Sequence, residues 1–239
     1  MSEIGGVSRR RVKSYVLRAG RITDAQRRAL EGLTERYCIP FSDNRLNLKR
    51  EFGGKPIICE IGFGMGGATA EIAATNPDKA YLALEVFPAG VGRLLNEIDT
   101  RNLLNLRIIR YDAMAVFESM IPNNSLSGIH LFFPDPWQKK RHHKRRILQQ
   151  QFAKLMMDKL LPDGYCYVVT DWENYAADIV DVFAQTDGIK NSYGGFAPPL
   201  AWRPKTKFEK KAMEKGKPIF EVLVEKKRVV QPEQENSAQ

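Results

Sequence analysis

Cysteine is nearly absent. The 239 residues hold three, Cys38, Cys59 and Cys166, an odd number spread far apart. They form neither a disulfide framework nor a Cys-x-x-Cys metal motif, and so point to a reducing, cytoplasmic setting without structural zinc. Histidine is equally scarce, and the adjacent His142 and His143 lack the thiol or carboxylate partners that would complete a metal site, so no metal is expected. Long apolar runs are missing too: none approaches the ~20 residues that cross a bilayer. No secretory leader is visible and no internal repeat, so neither a membrane partner nor a repeat architecture is expected.

Positive charge is what the chain has in excess: 37 Lys and Arg against 28 Asp and Glu, a net +9. The excess is concentrated. Residues 1–28 carry eight Lys or Arg against Glu3 and Asp24, and six of the eight residues 139–146 are Lys or Arg. Without these two segments the chain is slightly acidic. Two dense basic patches on such a body resemble a phosphate-backbone footprint more than solubility charge.

Hydrophobic periodicity organises the rest. Residues 1–50 read as a basic arm followed by a helix in "TDAQRRALEGLTERY", with Thr23 and Asp24 as caps. From Pro56 to residue 228 strands alternate with helices: "PIICEIG", "YLALEV", "LRIIRYDA", "GIHLFFPDPW" and "YCYVVTD" are strands, with helices between them and a "PDG" turn before the last. A late strand lies in "PIFEVLVEK", and residues 229–239 form a polar tail expected to be disordered. Alternation of this kind implies right-handed crossovers and a doubly wound α/β fold with a parallel sheet covered on both faces.

The first strand runs into "CEIGFGMGG". Gly62, Gly64 and Gly67 satisfy the dinucleotide pattern G-x-G-x-x-G, whereas Glu60, Gly62, Gly64 and Gly66 satisfy E-x-G-x-G-x-G. The two spacings suit different ligands. A pyrophosphate needs a bare helix N-terminus, but a sulfonium amino-acid cofactor is cationic and benefits from an acidic strand end. Glu60 supplies one, Glu85 ends the second strand where ribose hydroxyls bind, Asp112 ends the third where an adenine edge is expected, and Asp135 ends the fourth.

Asp135 sits in "FFPDPWQKKRHHKRR", residues 132–146, between Pro134 and Pro136 and just before the basic run. A dehydrogenase has no use for that stretch. Trp137 reads either as a base-stacking ring or as a hinge aromatic.

The motifs "EIGFGMG", "FPDPW", "KRHHKRR", "TDWENY" and "TKFE", in that order, resemble the bacterial tRNA (guanine-N7)-methyltransferases from about Arg9 to Lys227. The resemblance implies a class I, Rossmann-like methyltransferase domain with a mostly parallel seven-stranded sheet. It implies S-adenosylmethionine as cofactor, S-adenosylhomocysteine as product, and a guanine in the tRNA variable loop as target. Cofactor contacts would come from Glu60, Gly62, Gly64, Gly66, Glu85, Asp112 and Asp135, with Asp135 also catalytic. Substrate contacts would come from Lys139, Asp171, Thr206, Lys207, Phe208 and Glu209. RNA contacts would come from Arg141, His142, His143, Lys144, Arg145 and Arg146, and a monomer is the expected state. The chain departs from the family at Gln138, where His or Pro is expected, and at Phe87, where His is common. Two other readings of the same residues are a nucleic-acid methyltransferase acting on an exocyclic amine and a non-catalytic RNA-binding protein, although the second has no need of four strand-end carboxylates.

Overall fold

A computed structural model describes residues 12–16 and 20–228. Residues 1–11 and 17–19, in the basic arm, and the tail 229–239 with its expected disorder lie outside the described residues.

Strands β1 (Ile57–Ile61) and β2 (Ala80–Leu84) are buried at every position, as strands covered on both faces must be. Their side chains alternate between two apolar layers. Cys59, Ile61, Leu82 and Leu84 join one, and Ile58, Tyr81 and Ala83 the other. With β3 (Leu106–Ile109), β4 (Leu126–Phe132), β5 (Leu160–Thr170), β6 (Ile189–Lys190) and β7 (Phe220–Lys226) they make one seven-stranded sheet. Its order is β3-β2-β1-β4-β5-β7-β6. The pairs from β3 to β5 are parallel; β7 runs antiparallel to both β5 and β6. The order reverses between β1 and β4, which opens a crevice at the carboxyl ends of those strands.

Helices α1 (Asp24–Tyr37), α3 (Gly67–Thr75) and α4 (Pro88–Thr100) contribute to one layer. Helices α2 (Leu48–Phe52), α5 (Ala113–Ser119), α6 (Gln150–Lys159) and α7 (Glu173–Ala184) contribute to the other. Thr23 caps α1 as expected, in a reciprocal capping box with Gln26. The helix lies close on α4: a Cβ on Gly92 would stand 2.5 Å from the Gln26 carbonyl oxygen.

One local expectation shifts. The "PDG" segment is not a turn ahead of the strand; β5 already pairs at Leu160 with Leu126, and the chain bulges through Asp163 (φ 62°) before pairing resumes at Tyr165. Exposed Leu161, Pro162 and Asp163 make that bulge possible without burying an unpaired strand edge. The basic run winds into a 3-10 turn, Lys140–Arg145, directly after the fourth strand's proline segment.

Candidate active site

The glycine loop is shaped by backbone demands. Gly62 (φ 72°), Gly64 (φ 58°) and Gly66 (φ 72°) occupy the left-handed region, while Gly67 does not. The geometry therefore follows the alternate-residue spacing and not the dinucleotide one. The N-terminal turn of α4 presses on this loop: a Cβ on Gly90 would come within 2.0 Å of the Gly64 carbonyl oxygen.

That contact brings Glu85 under the loop. Its Oε2 accepts from the Gly64 N–H at 2.9 Å, and its Oε1 from Val86 and Phe87 at 2.7 and 3.2 Å. Burial pushes its carboxyl upward, the three N–H groups pull it back, and Asp135 adds a small rise. Glu60, 4% exposed on β1, is raised more, to about 7. Burial is the main cause; the Thr69 hydroxyl opposes it and Glu85 reinforces it.

Glu60, Glu85 and Asp135 line a single cleft of about 850 Å³, together with Gly62, Gly64 and Gly66. This volume matches a small-molecule site. Asp112 stands behind the wall. It caps α5 through a 3.1 Å bond from the Ala115 N–H, while its neighbours Tyr111 and Ala113 face the cleft. Exposed Tyr111 stacks on Phe41 at 3.8 Å, a flat aromatic surface at the rim.

The Pro-Asp-Pro segment is held in an unusual shape. Phe133 (φ 51°) and Trp137 (φ 45°) bracket it in the left-handed region, at a cost of about 1–3 kcal/mol each. The Phe133 N–H bonds the Val169 carbonyl at 2.7 Å on one side. On the other, Arg146 donates to the Pro136 carbonyl at 2.8 Å. Arg146 is thus not a surface cation: it is 2% exposed, pairs with Asp178, bonds Asn174 at 2.9 Å and lies over the Tyr175 ring. Where a phosphate contact was expected, Arg146 is turned inward by these partners and supports the loop.

The remaining basic residues divide. Lys139, Arg141 and Lys144 are exposed, and His142 and His143 are half-buried. Arg145 covers the Trp137 ring at 5.0 Å, and the Trp137 indole donates to the Ser14 carbonyl at 3.0 Å. Trp137 thereby fastens the N-terminal arm at Ser14, and Ser14 and Tyr15 join the cleft wall.

Opposite stands α8 (Lys207–Glu214). Lys205, Thr206, Lys207 and Phe208 line the cleft, with Phe208 66% exposed. Glu209 does not line it. It is 5% exposed, closes a capping box with Thr206 and pairs with Arg203, and so anchors the start of the helix. Asp171 follows β5 on the same sheet edge as Asp135 and pairs with Lys217 at 3.1 Å, beyond α8. Asp171 itself does not line the cleft, whereas the start of the "TKFE" segment does. Tyr15, Arg93 and Lys210 also line the cleft and were not legible in the sequence, since no local pattern ties the arm or α4 to it. Tyr111 had one available signal, its place beside a strand-end carboxylate.

Among the described residues no group of His, Cys, Asp or Glu is placed to hold a metal ion, and no helix is long and apolar enough to cross a membrane.

A glycine loop over acidic strand ends, on a sheet whose last-but-one strand is reversed, defines a class I methyltransferase. Solved structures agree at the level of fold. The antibiotic-resistance methyltransferase Kmr superposes with a TM-score of 0.54 at 10% identity, covering 77% of this chain and 93% of that one. The 16S rRNA methyltransferase KamB does so with a TM-score of 0.53 at 12% identity, covering 76% and 91%. Residues 54–222 match the family model described as "Putative methyltransferase". Proteins named tRNA (guanine-N(7)-)-methyltransferase are similar throughout. That of Paraburkholderia xenovorans is 44% identical over 92% of this chain and 85% of its own. That of Nitrosomonas eutropha is 47% identical over 90% and 96%. The chain belongs to the tRNA (guanine-N7)-methyltransferase family.

The cofactor of that family, S-adenosylmethionine, fits the residues present. Gly62 and Gly64 leave open space along the cleft where side chains would stand, and the Glu60 carboxyl beside them offers an acidic partner to a cationic amino-acid end.

Proposed function

We propose that the protein methylates N7 of a guanine in the tRNA variable loop, acting in the cytoplasm as a monomer. One observation carries the reading: the strained Pro-Asp-Pro segment lines the same cleft as the glycine loop and runs straight into a cationic turn. Base placement and backbone grip are thereby joined on one stretch of chain, beside the cofactor seat.

S-adenosylmethionine, when bound, supplies an electrophilic methyl group on a sulfonium. The chain's own residues do the rest. Glu60 meets the cationic amino-acid end, Glu85 the ribose hydroxyls, and the Tyr111–Ala113 segment the adenine. Guanine N7 has an in-plane lone pair and no proton, so no general base is required. Asp135 is proposed to accept from the guanine N–H edge and to face the positive charge that develops on the purine. Its position between two prolines and two left-handed residues means little reorganisation is needed. A guanine N7 inside an A-form helix lies in a deep, narrow groove, so the target must be splayed out, with Arg141, Lys144, Arg145 and Lys139 holding the neighbouring phosphates.

The test is nucleoside analysis of unmodified tRNA after incubation with the protein and S-adenosylmethionine. N7-methylguanosine is the expected product. Methyl on an exocyclic amine, or none, overturns the reading.

A further inference from the structure

We infer that Arg203 is a positioning residue of the reaction, holding the α8 wall of the cleft in register with the strand end that presents Asp135. This rests on the reading of the cleft given above.

Arg203 is 7% exposed and makes contacts in four directions. Its two terminal nitrogens clasp Glu209 at 2.5 and 3.0 Å, and one of them also reaches Glu221 on β7 at 2.8 Å. Its Nε donates to the Tyr167 hydroxyl on β5 at 3.1 Å, and Tyr167 in turn bonds Glu221. The guanidinium also lies 5.8 Å from the ring centre of Phe132, the last residue of β4. One cation therefore touches α8, two neighbouring strands and the residue from which the Phe133–Pro134–Asp135 segment departs.

α8 depends on that cation. Only Glu209 and Ala212 of its eight residues are buried, and so short a helix has little stability of its own. Its other charged tie, Lys217 to Asp171, lies in the last loop and is partly solvated. Glu209 also accepts from the Thr206 N–H at 3.4 Å, so the Arg203–Glu209 clasp fixes the helix start where Thr206, Lys207 and Phe208 face the cleft. Loss of the guanidinium leaves two buried carboxylates side by side, and their repulsion acts to push α8 off the sheet.

The functional consequence is separable from folding. A loosened α8 disturbs the wall next to the incoming base but not Glu60, Glu85 or the glycine loop. Two variants test this, Arg203→Lys, which keeps charge but not the two-pronged clasp, and Glu209→Gln, which keeps a cap oxygen but not the charge. Each is assayed for single-turnover methyl transfer, S-adenosylmethionine affinity and hydrogen exchange of the α8 amides. We expect folded protein with unchanged cofactor affinity, faster exchange in α8, and transfer slowed roughly tenfold to hundredfold, the scale of a displacement near 1 Å. If Arg203→Lys does not fold, Glu209→Gln decides. Wild-type transfer and wild-type α8 protection in a folded variant overturn the inference, as does an equal loss of cofactor affinity. Absence of N7-methylguanosine with the wild-type chain would instead defeat the functional reading, while the exchange arm still reports on the clasp.

Discussion

At the scale of the residue, the roles proposed for Asp135 and Glu60 ask different tasks of the same functional group. Asp135 is exposed on a loop bounded by two prolines and two left-handed residues, from which its carboxylate can face a nascent cation. We expect Asp135→Asn to lose about 10²–10³ in single-turnover rate, the usual cost of one preorganised electrostatic contact. Raising the pH should not restore it, because N7 has no proton to remove; alkaline recovery would reveal a general base. Glu60 is buried, and burial raises its carboxyl from an ordinary 4.5 to about 7. A cation bound beside it favours the charged form, so cofactor binding expels a proton. Affinity measured by calorimetry should therefore increase as pH rises toward 7, and Glu60→Gln should weaken binding and flatten that profile. Arg146 has the opposite lesson, a cation inside the wall. Arg146→Ala leaves the Pro136 carbonyl without its donor and should cost about 1–3 kcal/mol in denaturant unfolding.

At the scale of the element, the 3-10 turn Lys140–Arg145 separates grip from chemistry. Replacing Arg141, Lys144 and Arg145 with Ala removes two exposed cations and the one that covers Trp137, while leaving Arg146 in place. The salt dependence of tRNA binding should flatten by up to about 0.9 per lost contact on the duplex scale. Cofactor affinity should not change, since none of the three lines the cleft. A variant that binds tRNA with wild-type strength and slope would show the turn to be only a solvated face. The run reads as uniformly basic in sequence; the structure splits it by giving Arg146 a buried seat next to apolar Ile147 and Leu148.

At the scale of the whole molecule, two buried groups oppose each other in pH. Glu60, raised on folding, contributes stability that is present below about 4.5 and lost as pH rises through about 7. His130 is held neutral, lowered from 6.5 to about 3 by burial and then by Lys79. Its contribution is present above 6.5 and lost as pH falls toward 3. The cofactor-free melting temperature should therefore fall on either side of a mildly acidic maximum, with His130→Phe softening the acid limb and Glu60→Gln the other. Melting curves of both variants across pH check this.

The sequence by itself determined the strand–helix alternation, because period-2 and period-3.6 apolar patterns, caps and glycines act over a few residues. It also determined the chemistry available: acidic strand ends, the glycine loop, the proline-bounded carboxylate and the two basic patches. Tertiary structure alone decided which of these point into the cleft. Asp112 was drawn off to cap α5, Arg146 to brace the Pro-Asp-Pro loop and Glu209 to clasp Arg203, while Tyr15 and Tyr111 were brought in. The physical reason is that a buried polar group must find a partner. For Arg146 and Arg203 those partners include residues 10 to 36 positions away in the chain, on other elements. A local pattern cannot say whether a charge will be spent on such a partner or left facing a ligand; only the packed arrangement of β4, β5, β7 and α8 settles it.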